Sequence, residues 1–155
     1  MDATLVKTAF DELEERLKLL KVETARIGGE DDQIGDTLRA LLPVTEAGDM
    51  VLMEVMVTPF DEGMALLHLY TTLIMEIGPG YEALKEMVLD WNLLCPLGAF
   101  GIFRQERQFY HKYVFPFPKN LPPKKLADRV MYLLEVLYEV ISQRFDEAVQ
   151  LSGHE

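Results

Sequence analysis

The spacing of apolar residues along the chain separates helical from extended segments. Over residues 4–27, apolar side chains such as Leu13 and Leu17 recur every three or four positions, with charged residues between them. This period is typical of an amphipathic helix. Gly28 and Gly29 follow it and are strong helix terminators, so the pattern predicts a first helix over residues 4–27.

From residue 36 the apolar period shortens to two. Segments rich in Val, Leu, Met and Thr are separated by turn sequences, which predicts three hairpin-connected strands at residues 37–44, 50–58 and 64–77. Both faces of the second and third strands are largely apolar, whereas an antiparallel sheet with one wet face would alternate. We therefore expect that something covers the second face of the sheet.

The rest of the chain predicts a helix, a hairpin and a long final helix. The middle helix begins after Pro79-Gly80, and its apolar stripe includes Trp91. Strands at 99–104 and 108–115 form the second hairpin, and the final helix runs from Pro122 to about Gln150, a length of about 43 Å. The order helix, three strands, helix, two strands, helix predicts an α+β two-layer sandwich with an antiparallel sheet in one domain, residues 1–155.

Composition restricts the kinds of partner. The chain has 155 residues, is 49% hydrophobic and carries a net charge of -11, from 26 acidic and 15 basic residues. Such an acidic protein is repelled by phosphate backbones and anionic lipid surfaces, so we expect neither nucleic acid nor membrane as a partner. The single cysteine, Cys95, and an N-terminus without signal-peptide features favour a cytoplasmic location.

The negative charge is unevenly distributed. Residues 104–129 contain seven basic and two acidic residues, a net charge of +5, so the rest of the chain carries -16. This basic block coincides with the most aromatic part of the chain. Its lysines can guard an edge strand against pairing, or the block can form a docking face for an acidic protein partner.

The run from Leu84 to Phe103 combines a helix containing Asn92, a short glycine-containing turn and the sequence Gly-Ala-Phe-Gly-Ile-Phe. With the order of elements and the acidic composition, it resembles the superfamily that joins the YbjN-like proteins to the type III secretion chaperones. The resemblance implies a non-catalytic, chaperone-like or regulatory protein, usually dimeric in the chaperone branch. Such a protein holds an extended segment of another polypeptide against its sheet and helices.

Two functional hypotheses follow. The first is a cytoplasmic homodimer that binds another polypeptide of unknown identity. The alternative is a sensory module that holds a small apolar or amphipathic ligand between sheet and helices.

Catalytic and metal-binding patterns are weak. His68, His111 and His154 are scattered and, with one cysteine, give no zinc-ligand spacing. Glu54 and Glu76 in apolar strands could form a buried carboxylate pair, but the cost of burying two charges favours exposure at an edge or strand end. We predict no catalytic residue, no metal and no cofactor.

The aromatic second hairpin is the best candidate for partner binding. It holds more aromatic side chains than one sheet face comfortably buries, and aromatic anchors dominate interface energies. Core packing under the final helix is the alternative. The residues predicted to contact a partner are Trp91, Phe103, Arg104, Arg107, Phe109, Tyr110, Tyr113 and Phe115.

Overall fold

A computed structural model describes residues 3–28 and 35–153 of the chain. In these ranges the chain forms three helices and six strands. In chain order they are α1 (Ala3–Leu19), β1 (Glu23–Ile27), β2 (Thr37–Pro43), β3 (Met50–Pro59), β4 (Met64–Ile74), α2 (Tyr81–Leu94), β5 (Ala99–Phe103), β6 (Gln108–Pro118) and α3 (Pro123–Ser152).

The strands form one antiparallel sheet in the order β1-β2-β3-β4-β6-β5. The predicted α+β class, the antiparallel sheet and the long C-terminal helix are therefore confirmed. At 30 residues, α3 is about 45 Å long. Pro123 at its start is suited to a first helical position, where the missing N–H costs no hydrogen bond.

The predicted end of the first helix is wrong. The helix stops at Leu19, because Lys21 adopts the left-handed conformation at φ 61° and the Val22 N–H bonds back to the Leu17 carbonyl. Residues 23–27 form β1, which pairs with β2. This short segment fits a helical period, but its half-buried positions, Thr24 and Arg26, alternate as in a strand.

All three helices pack on one face of the sheet, which we call the helix face. Most of its strand residues are buried, as Leu38, Met53 and Leu69 show. The contacts of α3 with both α1 and α2 complete a single helical layer. One continuous core therefore lies between the two layers, and its helical members include Phe10, Leu13, Leu84, Leu137 and Phe145.

The opposite face, which we call the open face, has no helix over it among residues 3–28 and 35–153. Its apolar side chains, including Leu52, Met56, Leu66 and Val114, are half-buried by their own neighbours. The expectation that another element covers this face is thus not met within the described chain. The open face is therefore an apolar surface of the described chain.

Candidate functional site

The residues predicted to bind a partner are divided between the two sides of the sheet. The register sets the division, because Phe109 lies opposite Ile102 whereas Tyr110 lies opposite Gly101. Trp91, Phe109, Tyr113 and Phe115 lie on the helix side, Phe103 and Tyr110 on the open side, and Arg104 and Arg107 in the turn between β5 and β6.

Trp91 and Phe109 are core residues. Trp91 is 3% exposed, and its ring centroid lies 6.1 Å from that of Phe100 and 6.0 Å from that of Phe109, which is fully buried. These rings fix α2 against the hairpin instead of presenting a surface. Tyr113 and Phe115 are half-buried, with 6.0 Å between their ring centroids, so each keeps some accessible area.

The two arginines of the turn have different environments. Arg107 donates from Nε to the Ile77 carbonyl at 3.1 Å and from Nη2 to the Gly78 carbonyl at 2.9 Å. Its guanidinium also lies 4.6 Å from the ring centroid of Tyr81. These contacts tie the turn to the segment before α2, so Arg107 has a structural role. Arg104 is exposed and is the residue of the pair that can meet a partner.

An aromatic pair occupies the open face beside β5. Tyr70 and Tyr110 stack with 4.8 Å between ring centroids. The Tyr110 hydroxyl group lies over Gly101, where a Cβ would come within 2.5 Å of its oxygen, so a larger residue would displace the ring. Burial, together with Tyr110, Glu54 and Glu106, raises the pKa of Tyr70 to about 12. Tyr70 therefore stays protonated near neutral pH, and its ring, stacked on that of Tyr110, contributes an uncharged aromatic surface.

Polar side chains on the open face are paired across strands. Arg39 donates from Nε to Glu54 at 3.1 Å, and the Thr58 hydroxyl lies 2.8 Å from Nε2 of His68. Burial, and secondarily the positive charge of Lys112, lowers the pKa of His68. The face is thus apolar and aromatic, with few unpaired charges, as is typical of the centre of a protein interface.

A second apolar surface lies on α2. Leu89, Leu93 and Leu94 are all strongly exposed, with Leu93 reaching 84%. Leu89 and Leu93 are four residues apart and so lie on one side of the helix. They were not among the residues predicted to contact a partner, although the sequence spacing already places Leu89 and Leu93 away from the buried stripe through Leu84 and Trp91.

The fold brings Cys95 close to His111, which spacing along the chain did not reveal. The distance from Cys95 Sγ to Nε2 of His111 is 3.9 Å, and the same Nε2 lies 2.8 Å from the Leu97 carbonyl oxygen. A carbonyl only accepts, so Nε2 carries the proton and cannot remove one from the thiol. The thiol itself also donates to Leu97, at 3.1 Å. This arrangement stabilises the turn and does not activate a nucleophile.

The two carboxylates singled out in the strands, Glu54 and Glu76, have different environments. Glu76 is exposed just after β4, as the strand-end interpretation predicted. For Glu54 that interpretation is wrong, because Glu54 lies in the middle of β3, an interior strand, where it is half-buried and paired with Arg39. No group of His, Cys, Asp or Glu side chains that could hold a metal ion occurs within the described residues. His154 lies outside them.

An apolar cavity of about 390 Å³ opens between the end of α1, the sheet and the middle of α3. The early end of α1 accounts for it, because the chain turns away at Lys21 and leaves the corner of β2 and β3 uncovered. Met53 and Thr71 form its floor, and the Thr71 hydroxyl is already bonded to the Met53 sulfur at 3.1 Å.

The comparisons with known proteins give no family. No family model matches the chain, and no curated protein matches it. Among the residues the structure describes, no helix is long and apolar enough to cross a membrane.

Proposed function

We propose that this chain is a non-catalytic protein-interaction domain, chaperone-like or regulatory, that binds another polypeptide as a homodimer. The observation that carries the proposal is the open face of the sheet. It presents half-buried apolar side chains and the stacked pair Tyr70 and Tyr110, and no helix of the described residues covers it. A broad apolar face of this kind is a feature of interaction surfaces.

The surface chemistry favours a polypeptide over a polyanion. Tyrosines supply large contact areas at low conformational cost and are enriched where proteins meet. Two exposed basic residues stand at this face, Arg104 in the turn just after β5 and Lys112 on β6. An extended client with apolar and acidic residues would find complementary groups there.

In this proposal, two copies of the chain associate through α2. The exposed leucines Leu89, Leu93 and Leu94 form a ridge that an isolated chain would leave in water. Burying a leucine side chain contributes about 1.5–3 kcal/mol. A two-fold contact between two α2 helices would bury the ridge of each chain, while leaving both open faces available for clients.

The resemblance to the YbjN-like and type III secretion chaperone superfamily supports the same proposal. The order of elements, one of the features that carry the resemblance, recurs in the structure with β1 added. Membership of that superfamily and a cytoplasmic location are parts of the proposal.

Light scattering tests the homodimer. The chain has a mass of 17.8 kDa, so a dimer would appear at about 36 kDa. The double variant Leu89→Gln/Leu93→Gln should be monomeric with an unchanged circular dichroism spectrum. The matched control, Leu19→Gln/Phe60→Gln, removes two other exposed apolar side chains and should remain dimeric. A wild-type chain that is strictly monomeric at micromolar concentration would contradict the proposed dimer.

Photo-crosslinking tests the client surface. A photoreactive phenylalanine analogue placed at Met56 or Tyr110 on the open face should yield discrete crosslinked polypeptides in cells, identifiable by mass spectrometry. The same analogue at exposed Phe60, in the β3–β4 turn, is the control. Equal products from all three positions, or none from the open face, would contradict a client site there.

A further inference from the structure

The apolar cavity beside α3 has a distinct chemistry at its mouth. Glu135, Tyr138 and Glu139 all line it and follow one another at helical spacing, so they stand on one side of α3. All three are exposed. No ion pair joins either carboxylate to another of the described residues, so both remain available to a positively charged group.

The interior of the cavity is hydrocarbon. Leu17, Met53 and Ile141 are buried members of its wall, and the hydroxyl of Thr71 on its floor already has the Met53 sulfur as a partner. A polar group deep in this space would find no compensating hydrogen bond and would cost free energy. An apolar tail would instead replace water along an apolar wall.

The charge at the mouth of the cavity favours a ligand with a positively charged head group. The lining contains two carboxylates and no basic residue, and the whole chain carries a net charge of -11. A carboxylate or phosphate head would be repelled at this mouth, whereas an ammonium would be attracted. The ring of Tyr138 adds a cation–π partner, and an aromatic ring beside carboxylates is a common way to bind quaternary ammonium groups.

The described chain has no segment placed to fill this space. The cavity lies at the C-terminal end of α1 and at the end of β2, whereas Ile27 and Thr37, the last residue of β1 and the first of β2, pair at the other end of these two strands. Its volume of about 390 Å³ lies near the lower end of ligand pockets, which span roughly 300–1,000 Å³.

From this combination we infer that the cavity binds a small amphipathic cation, with its apolar tail between α1 and α3 and its ammonium head at Glu135, Tyr138 and Glu139. This site lies on the helix side of the sheet, so it is separate from the proposed client surface. The inference does not depend on the chain being a dimer.

The test titrates the full chain with decyltrimethylammonium below its micellar concentration, using calorimetry for affinity and native mass spectrometry for stoichiometry. We expect one molecule per chain, bound at least about tenfold more tightly than decanoate, which has a similar tail and the opposite charge. Tetramethylammonium, the head group without the tail, should bind more weakly than the amphiphile.

Two variants locate the site. Glu135→Gln/Glu139→Gln should abolish most of the preference for decyltrimethylammonium over decanoate. The control variant Glu62→Gln/Asp146→Asn makes the same change of net charge at exposed positions elsewhere and should keep this preference. Leu134→Trp should fill the cavity and remove binding. The glutamine pair lies at the surface and keeps the test decisive if the tryptophan variant does not fold.

Three results would overturn the inference. The first is equal affinity for decyltrimethylammonium and decanoate, or no saturable binding of either. The second is cation binding unchanged by both the glutamine pair and folded Leu134→Trp, which would place the ligand elsewhere. The third is a change of oligomeric state in Leu134→Trp, which would make the cavity a contact between protein chains.

Discussion

The side-chain amide of Asn92 makes two hydrogen bonds with the backbone of Phe100. Its Nδ2 donates to the Phe100 carbonyl at 2.9 Å, and its Oδ1 accepts from the Phe100 N–H at 2.7 Å. Because β5 is the outermost strand next to β6, these backbone groups lie on the side that has no strand partner. The amide of Asn92 therefore replaces a neighbouring strand at this position, and it attaches α2 to the sheet edge.

Removing this amide should destabilise the fold and expose the edge. For Asn92→Ala we expect the free energy of unfolding in urea to fall by about 1–3 kcal/mol, because two partly buried backbone groups lose their partners. Asn92→Asp keeps the acceptor but places a carboxylate oxygen against the Phe100 carbonyl oxygen, so it should also destabilise the fold. Exposed strand edges promote pairing between chains, so Asn92→Ala should also aggregate faster.

Asn120→Ala provides the control for this prediction, because Asn120 is exposed in the turn before α3. It should change stability by no more than about 0.5 kcal/mol. Equal stabilities for Asn92→Ala and Asn120→Ala would show that the two hydrogen bonds contribute nothing net to the fold.

Charge reversal should separate the two arginines of the β5–β6 turn. Arg107→Glu removes two charge-assisted hydrogen bonds to the carbonyls of Ile77 and Gly78 and should cost at least about 2 kcal/mol of unfolding free energy. Arg104→Glu should stay within about 0.5 kcal/mol of wild type. Chemical denaturation measures the unfolding free energy of both variants. Similar losses of unfolding free energy in the two would contradict the conclusion that Arg107, and not Arg104, has a structural role.

The sequence predicted the α+β class, the second hairpin and the long final helix because each has a sustained apolar period. The end of the first helix was missed because five residues, 23–27, are too few to separate a period of 3.6 from a period of two. Lys21 is the actual stop, and a lysine in the left-handed conformation carries no signal comparable to glycine.

The site was predicted only in part. Alternation along β6 correctly separated Phe109 from Tyr110, but it could not say which side the helices cover. The approach of Cys95 to His111 and the stack of Tyr70 on Tyr110 depend on strand register. The cavity depends on where α1 ends, and the predicted end, eight residues too late, hid it.

Stability should fall as the pH drops below about 6.5 because of His111. The His111 side chain is fully buried, and burial lowers its pKa. The hydrogen bond to the Leu97 carbonyl acts in the opposite direction but is the smaller effect. The unfolded chain therefore takes up a proton on this residue at a higher pH than the folded chain does. The stabilisation is present above the unfolded pKa, about 6.5, and is lost as the pH falls towards the folded value.

Urea unfolding at pH 7.5, 6.5 and 5.5 measures this dependence. The loss of stability between pH 7.5 and 5.5 should be larger in wild type than in His111→Gln, although the variant is less stable at pH 7.5. Burial also lowers the pKa of His68, so this residue contributes to the pH dependence of wild-type stability. His68→Gln should therefore keep the part of the pH dependence that comes from His111. Parallel curves for wild type and His111→Gln would contradict the assignment.

Tyr70 should be the source of a late step in the alkaline titration. Its pKa is raised to about 12 by burial and by Tyr110, Glu54 and Glu106, whereas a tyrosine in an unfolded chain ionises near pH 10. The difference between the ultraviolet titrations of wild type and Tyr70→Phe should therefore have a midpoint near pH 12, provided that spectra are recorded before alkaline unfolding. In concentrated guanidinium chloride the same difference should have its midpoint near pH 10.

Variants of the neighbours identify the cause of this shift. Glu54→Gln removes a nearby negative charge and should lower the Tyr70 midpoint while leaving the stack with Tyr110 intact. Because the folded chain holds this proton more tightly, the stabilisation from Tyr70 is complete below pH 10 and is lost as the pH rises towards 12. A folded-state midpoint near pH 10 would mean that the open face is wet at Tyr70, and the neutral aromatic surface inferred for client binding would lose its main support.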